Sequence, residues 1–274
     1  MTGQIQLDDR DAIASLFASI ASQAAIAVMD VYATEFETRF KDDKSPVSDA
    51  DEHAEEIILE HLAKLMPGVP VLAEEAAARH GVAAQLGDTF ILVDPVDGTK
   101  EFLKRTGEFT VNIALIENTR PVAGCVYAPA AEKLYYGGTH GVLARGFKPG
   151  EDPAACRSEA LRTRDYPKDG LVAVTSSSHL DDKTTAFLET LPISSRASAG
   201  SSLKFCLVAE GDADVYPRFG PTMEWDTAAG HAVLNAAGGQ VLDPTGAAFS
   251  YNKHGAGFKN GAFIAWGGGR WRDA

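Results

Sequence analysis

Phe90-Ile91-Leu92-Val93-Asp94-Pro95-Val96-Asp97-Gly98-Thr99 reads as a buried strand that runs straight into two carboxylates and a hydroxyl. Four apolar residues in a row suit a strand covered on both faces. Pro95 removes a backbone donor and Gly98 permits a tight turn, so the chain leaves the strand here. A plain turn accounts for Pro95 and Gly98 but gives no reason for two acids three apart followed by Thr99. Carboxylates held close together repel and are costly to bury unless cations lie between them. Oxygen-only donors of this kind suit Mg²⁺ or Mn²⁺, not zinc.

Two further acidic clusters occupy similar junctions. Glu74-Glu75 follows the apolar run of residues 69–73, and Trp225-Asp226-Thr227-Ala228-Ala229-Gly230 opens an Ala-rich helical stretch. Taken alone, Glu74-Glu75 is a solvated loop and Asp226 a helix cap. Together the three clusters stand at strand ends or helix starts, where side chains and free amides converge. The spacing also bears on reaction class. Haloacid-dehalogenase phosphatases carry Asp-x-Asp-Gly-Thr and form an aspartyl intermediate, whereas here two residues intervene, which disfavours that register.

The surrounding chain has globular statistics. Of its 274 residues, 45% are hydrophobic and 23% charged, which excludes disordered and fibrous classes. The longest unbroken apolar runs are of strand length, far below the roughly 18 residues of a membrane span. The first ten residues lack the basic-then-apolar pattern of a cleaved export signal. Cys125, Cys156 and Cys206 are odd in number and far apart, which fits a reducing cytoplasm. A net charge of −13 argues against a nucleic-acid surface. An enzyme of this charge that handled anions would need local positive charge, and bound divalent cations can supply it.

Helical patterns cover residues 8–32 and 50–65, the second with Ala54, Ile57, Ile58, His61, Leu62 and Leu65 along one face. Residues 76–87, Ala-rich and without period, read as a loop. Strands at 110–116, 121–127, 133–136 and 141–144 are separated by turns that suit antiparallel pairing. After the Gly/Pro-rich residues 146–153, strands at 171–175, 194–197, 213–216 and near 241 and 263 alternate with helices at 181–190, 201–210 and 226–237. The spacing predicts an α+β half, residues 1–150, bearing the metal-binding motifs. It joins an α/β half, residues 151–274, and the two form one compact unit.

Asp94-Pro-Val-Asp-Gly-Thr99, with Trp225-Asp-Thr-Ala-Ala-Gly230 and the upstream Glu74-Glu75, resembles the inositol monophosphatase superfamily of lithium-sensitive, Mg²⁺-dependent phosphatases. Within it, Asp97-Gly-Thr-Lys-Glu-Phe102, Gly107-Glu-Phe-Thr-Val-Asn-Ile-Ala-Leu-Ile116 and Gly200-Ser-Ser-Leu-Lys-Phe-Cys-Leu-Val-Ala-Glu-Gly211 resemble the 3′(2′),5′-bisphosphate nucleotidase branch, as does Tyr216-Pro-Arg-Phe-Gly220. Inositol phosphatases usually have Thr-Asn-Phe where this chain has Lys100-Glu101-Phe102. The resemblance runs from the first helix to about Trp266.

It implies a layered sandwich, α+β and α/β, in which helices and sheets alternate as in fructose-1,6-bisphosphatase. It implies that Glu74, Asp94, Asp97 and Asp226, with the Val96 carbonyl, hold two or three Mg²⁺, with Mn²⁺ as a substitute. Asp51 matches the acid that hydrogen-bonds the Thr99 hydroxyl, and that pair would orient and deprotonate the attacking water; Asp49 is the weaker candidate. Residues 76–80 lack the polar residue that often follows the Glu pair. Amides of Gly98 and Thr99 would accept phosphate oxygens. Ser178, His179, Gly200, Ser201, Lys204 and Arg218 fall where the resemblance places contacts to ribose, base and the second phosphate. Glu74, Val96, Asp97 and Asp226 would border the substrate as well. Lys204 opens a helix, where a cation opposes the dipole, and binding a phosphate would offset that. His231 is read as packing.

The activity implied is hydrolysis of the 3′-phosphate of adenosine 3′,5′-bisphosphate (PAP) to AMP, without a covalent intermediate, in sulfur assimilation. The phosphosulfate analogue (PAPS) is a further substrate, and an inositol or sugar monophosphatase is the alternative. The setting implied is the cytoplasm, as monomer or homodimer, with a small-molecule nucleotide and no nucleic acid as partner. Peripheral attachment to the inner membrane occurs in the family, but no basic amphipathic stretch here supports it.

Overall fold

Asp9 opens α1 (Arg10–Tyr32), its side chain accepting from the Ala12 amide at 3.0 Å. The structure, a computed structural model, describes residues 7–34, 39–40, 46–47, 49–82, 86–176 and 181–268. By length and mean hydropathy, 1.8, α1 could cross a membrane, contrary to the expectation that no such stretch exists. Scattered Ser and Gln break it into short apolar runs and hide it from a search for unbroken ones. Its Ile13, Phe17, Ile20, Ala24 and Val28 are fully or almost fully buried, and this face packs on a sheet and on α2 (Asp49–Leu65). A core helix of a globular domain meets the same length and composition criteria.

Between α1 and α2 lies a short antiparallel pair, β1 (Arg39–Phe40) and β2 (Pro46–Val47). After α2 come β3 (Val71–Ala73) and α3 (Glu74–His80). The helix α3 corrects the expected loop over residues 76–87, of which 83–85 lie outside the described residues. Alanine has the highest helix propensity, Glu74 and Glu75 suit the first turn, and Arg79 and His80 suit the last. The buried Glu55 carboxylate accepts from the Glu75 amide at 2.7 Å, satisfying a donor at the helix start.

The first sheet has seven strands in the order β3, β4 (Thr89–Asp97), β5 (Thr110–Glu117), β6 (Arg120–Ala128), β7 (Lys133–Gly137), β8 (Gly141–Arg145) and β9 (Ser158–Leu161). The β3–β4 pair is parallel and the others antiparallel. This sheet therefore takes its last strand from beyond residue 150. The short α4 (Thr99–Leu103) follows β4.

The second sheet has five strands, in the order β11 (Ile193–Ala199), β10 (Leu171–Ser176), β12 (Val215–Arg218), β16 (Phe263–Trp266) and β14 (Gln240–Leu242). A minor pair joins β13 (Thr222–Met223) to β15 (Lys259–Asn260). Among the described residues the remaining α-helices are α5 (Asp182–Leu188), α6 (Leu203–Ala209) and α7 (Trp225–Ala236).

Side-chain alternation on β4 and β5 sorts the layers. Ile91, Val93, Val111, Ile113 and Leu115 join one core with α1 and α2. Phe90, Leu92, Ala114 and Ile116 join a second with α6, α7 and the inner face of the five-stranded sheet. Leu171, Val215 and Ile264 face a third, which includes Leu188 of α5. The order is helix, sheet, helix, sheet, helix. The α7 layer is drawn tight because a Cβ on Gly124 of β6 would stand 2.7 Å from the Ala232 Cβ. Only glycine lets the helix backbone approach the sheet so closely.

Candidate active site

The Pro95-Val96 step is a bulge, and it decides the site. Asp94 pairs with Asn112 of β5, whereas Asp97 pairs with Thr110, so β4 spends three residues where β5 spends two. In a regular strand, residues three apart point to opposite faces. The extra residue turns both carboxylates toward the face that α7 covers. Gly98, with φ +90°, then swings the chain into α4, and a Cβ there would lie 3.0 Å from the Glu108 carbonyl.

Glu74 at the end of β3, Asp97 at the end of β4 and Asp226 in the first turn of α7 line one cleft that opens to solvent. Gly98, Thr99, Ser201, Lys204 and Arg218 line the same cleft. Asp94 lies beneath it, 2% exposed. Burial pushes the Asp94 carboxyl far above its usual range, with Glu74, Asp97, Asp226 and Asp51 adding to the rise. Burial also raises Asp226 strongly, helped by Asp97 and Glu74. Asp97 is pushed up to about 6 by burial, against the pull of the Lys204 charge and of the hydrogen bond from Asn112. Acids more than 150 residues apart in the chain thus act on one another.

The donor set fits a hard divalent cation. The Asp94 Oδ1 is buried without a hydrogen-bond partner, which in an apolar interior leaves an acceptor unmet. Carboxylates that raise one another in this way are relieved by positive charge. Among the described residues, no three His, Cys, Asp or Glu side chains are closed tightly enough to grip an ion as they stand. Asp226 accepts from the Met223 amide through its Oδ2 at 2.8 Å.

Asp51 and Asp49 part company on α2. Asp51 is 3% exposed and close enough to Asp94 to raise its carboxyl, while Asp49 faces solvent. The Thr99 hydroxyl donates to the Val96 carbonyl at 3.3 Å, which places the expected hydroxyl and the expected carbonyl ligand side by side.

Lys204, in the first turn of α6, is 5% exposed, and its Nζ donates to the Ser201 and Ala199 carbonyls. The ammonium lies 5.5 Å from the centre of the Tyr216 ring. Burial lowers Lys204 to about 8, with Asp97 opposing the drop and Arg218 adding to it. Two carbonyls and nearby acids therefore offset the helix dipole that opposes a cation here. Arg218 donates to the Gly220 and Pro221 carbonyls at 3.4 and 3.3 Å on the cleft wall. Gly200 approaches so closely that a Cβ would lie 2.7 Å from the Glu108 carbonyl, and its amide donates to the Glu108 carboxylate at 2.9 Å. Ser178 and His179 lie outside the described residues. His231 is buried, with its Nδ1 3.1 Å from the Tyr251 hydroxyl, and is not among the described residues that line this cleft.

Sequence reasoning passed over the groups behind the acids. Asn112 of β5 donates to Asp97, and Ser202 donates to the Asp226 carbonyl. Asn260 donates to the Met223 carbonyl at 2.7 Å, steadying the residue whose amide holds Asp226. A buried amide in an otherwise apolar strand was the available signal for Asn112; Ser202 and Asn260 had none.

Residues 9–266 match the model of the inositol monophosphatase family. A 3′(2′),5′-bisphosphate nucleotidase, CysQ, of Salmonella typhimurium is 48% identical over 85% of this chain and 91% of its own. The protein of that name from Escherichia coli K12 is 45% identical over the same shares. Among solved structures, the CysQ of Bacteroides thetaiotaomicron superposes with a TM-score of 0.79 at 39% identity, covering 96% of this chain and 99% of that one. An inositol monophosphatase of Thermotoga maritima superposes with a TM-score of 0.69 at 23% identity, over 92% of this chain and 90% of that one, a likeness of fold.

Proposed function

The chain belongs to the inositol monophosphatase family, and from that premise we infer that it is a metal-dependent 3′(2′),5′-bisphosphate nucleotidase. It hydrolyses the 3′-phosphate of adenosine 3′,5′-bisphosphate, releasing inorganic phosphate and AMP. The supporting observation is the meeting of Glu74, Asp97 and Asp226 in one cleft above the unmet Oδ1 of Asp94. The likeness to inositol monophosphatases near 23% identity extends to fold, so the nucleotide reading is preferred to an inositol or sugar phosphate.

Glu74, Asp94, Asp97 and Asp226, with the Val96 carbonyl, would hold the cations, taken as two or three Mg²⁺. When bound, they supply positive charge that acidifies a water and steadies the departing oxygen. The chain's own groups do the rest. The Asp51 carboxylate and the Thr99 hydroxyl orient the attacking water and take its proton, with Asp51 as the acceptor. The amides of Gly98 and Thr99 and the cations of Lys204 and Arg218 receive phosphate oxygens, drawing a dianion into a protein of net charge −13. Water adds in line as the bond to the 3′-oxygen breaks, and no side chain is phosphorylated. The same reading makes the enzyme cytoplasmic and PAPS a second substrate.

A panel of adenosine 3′,5′-bisphosphate, its phosphosulfate and inositol 1-phosphate at equal Mg²⁺, repeated with Li⁺ and with EDTA, tests this. The bisphosphate should be turned over fastest, with loss in EDTA and inhibition by Li⁺. Preference for inositol 1-phosphate, or phosphate release that survives EDTA, would overturn it.

A further inference from the structure

Asn112 is 1% exposed on β5 and stands opposite Asp94. Its Nδ2 donates to the Asp97 Oδ2 at 3.3 Å and to the Ser202 Oγ at 3.0 Å. The Ser202 hydroxyl in turn donates to the Asp226 carbonyl at 2.9 Å. An amide NH₂ has two hydrogens, and both are used. Turned over, the amide would aim its oxygen at a carboxylate and at a hydroxyl whose hydrogen is already committed, so its orientation is fixed. The remaining Oδ1 is buried with no hydrogen-bond partner. An unmet acceptor in the interior is destabilising, so stability alone gives no reason for an amide here. Ala114 and Ile116, which share the face of Asn112 on β5, are apolar and buried, so an aliphatic side chain suits that face.

We propose that Asn112 is a positioning residue that fixes the Asp97 carboxylate and ties it, through Ser202, to the α7 backbone at Asp226. The link crosses from the seven-stranded sheet to the helices of the second half. It sets the angle between two acids carried by different elements and keeps them turned to the cleft for a divalent cation. Without it, Asp97 loses this restraint, and the Lys204 ammonium, whose charge already acts on it, competes for the carboxylate. The inference rests on the reading of the cleft as a divalent-cation site.

Calorimetric titration of the purified protein with MgCl₂, beside melting curves in EDTA and in Mg²⁺, tests it on Asn112→Leu, Ser202→Ala and Ser202→Thr. Outer groups that orient ligands are worth about 10–100-fold in metal affinity. Asn112→Leu should bind Mg²⁺ weaker by that factor, with half-maximal activity moved to correspondingly higher Mg²⁺, while its melting point in EDTA holds or rises. Ser202→Ala should shift the same way, and Ser202→Thr, which keeps the hydroxyl, should restore binding. Mg²⁺ affinity at the wild-type value in a folded Asn112→Leu protein would overturn the proposal. So would equal losses of melting point in EDTA and in Mg²⁺, the mark of a merely structural role. If Asn112→Leu does not fold, the serine pair decides, and unchanged Mg²⁺ affinity in Ser202→Ala overturns it. A wild-type protein that takes up no Mg²⁺ would instead sink the cation reading itself.

Discussion

Asp94 and Asp97 are three residues apart on β4 yet face partners only two apart on β5, Asn112 and Thr110. The bulge between them brings like charges onto one face, an arrangement that opposes folding until a cation arrives. Asp97→Asn keeps the shape and removes one charge. It should lower kcat by several orders of magnitude in a phosphate-release assay. In EDTA it should melt higher than wild type, because burial and Glu74 both disfavour the charge it lacks. Near-normal turnover, or a lower melting point in EDTA, would contradict the account of this cluster.

Gly124→Ala tests the seating of α7. The new Cβ would stand 2.7 Å from the Ala232 Cβ and 2.9 Å from the Ala229 carbonyl, so the helix must move off the sheet. Overpacking of this kind costs about 1–3 kcal/mol, read as a lower urea midpoint. Because α7 carries Asp226, turnover should fall as well. Unchanged stability together with unchanged turnover would mean that the helix has more room than the geometry allows.

How much of this was legible in the sequence depends on where each signal lies. Asp94 and Asp97 stood out because two acids beside an apolar run have few structural uses, whereas Asp226 alone reads as a helix cap and gained weight only beside the other clusters. The sequence already ranked Asp51 ahead of Asp49, and on α2 Asp51 is buried while Asp49 is exposed. The helix α3 was missed because an Ala run has propensity but no apolar period, and its cap comes from Glu55, twenty residues upstream. The strand β9 was missed because Ser158, Glu159 and Ala160 are exposed at a sheet edge and show no alternation. The Asn112–Ser202 contact joins residues ninety apart, and no local pattern encodes such a pairing.

His231 supplies an acid-stability test away from the cleft. Burial lowers its pKa from 6.5 to about 3, so the folded protein keeps the ring neutral where the unfolded chain would protonate it. The contribution is complete above pH 6.5 and is lost progressively as pH falls toward 3, by about 1.4 kcal/mol per pH unit. Denaturant midpoints of wild type and His231→Leu between pH 7 and 5 should converge as the pH drops, from a variant weaker at pH 7 because Tyr251 keeps Thr227 but loses the imidazole. Parallel curves would show that this histidine does not set the slope.

Arg218 separates recognition of the second phosphate from the chemistry at the first. Its guanidinium lies on the cleft wall, held by the Gly220 and Pro221 carbonyls, and acts on Asp226 through its charge. Arg218→Ala should raise KM for adenosine 3′,5′-bisphosphate by about 10–100-fold, the worth of a charged hydrogen bond of 1.5–3 kcal/mol. Adenosine 3′-monophosphate, which lacks the 5′-phosphate, should be hydrolysed with nearly unchanged kcat/KM by the same variant. A loss equal for both substrates would place Arg218 at the reacting phosphate instead. The comparison needs both substrates at saturating Mg²⁺, so that a change in cation affinity is not read as a change in nucleotide binding.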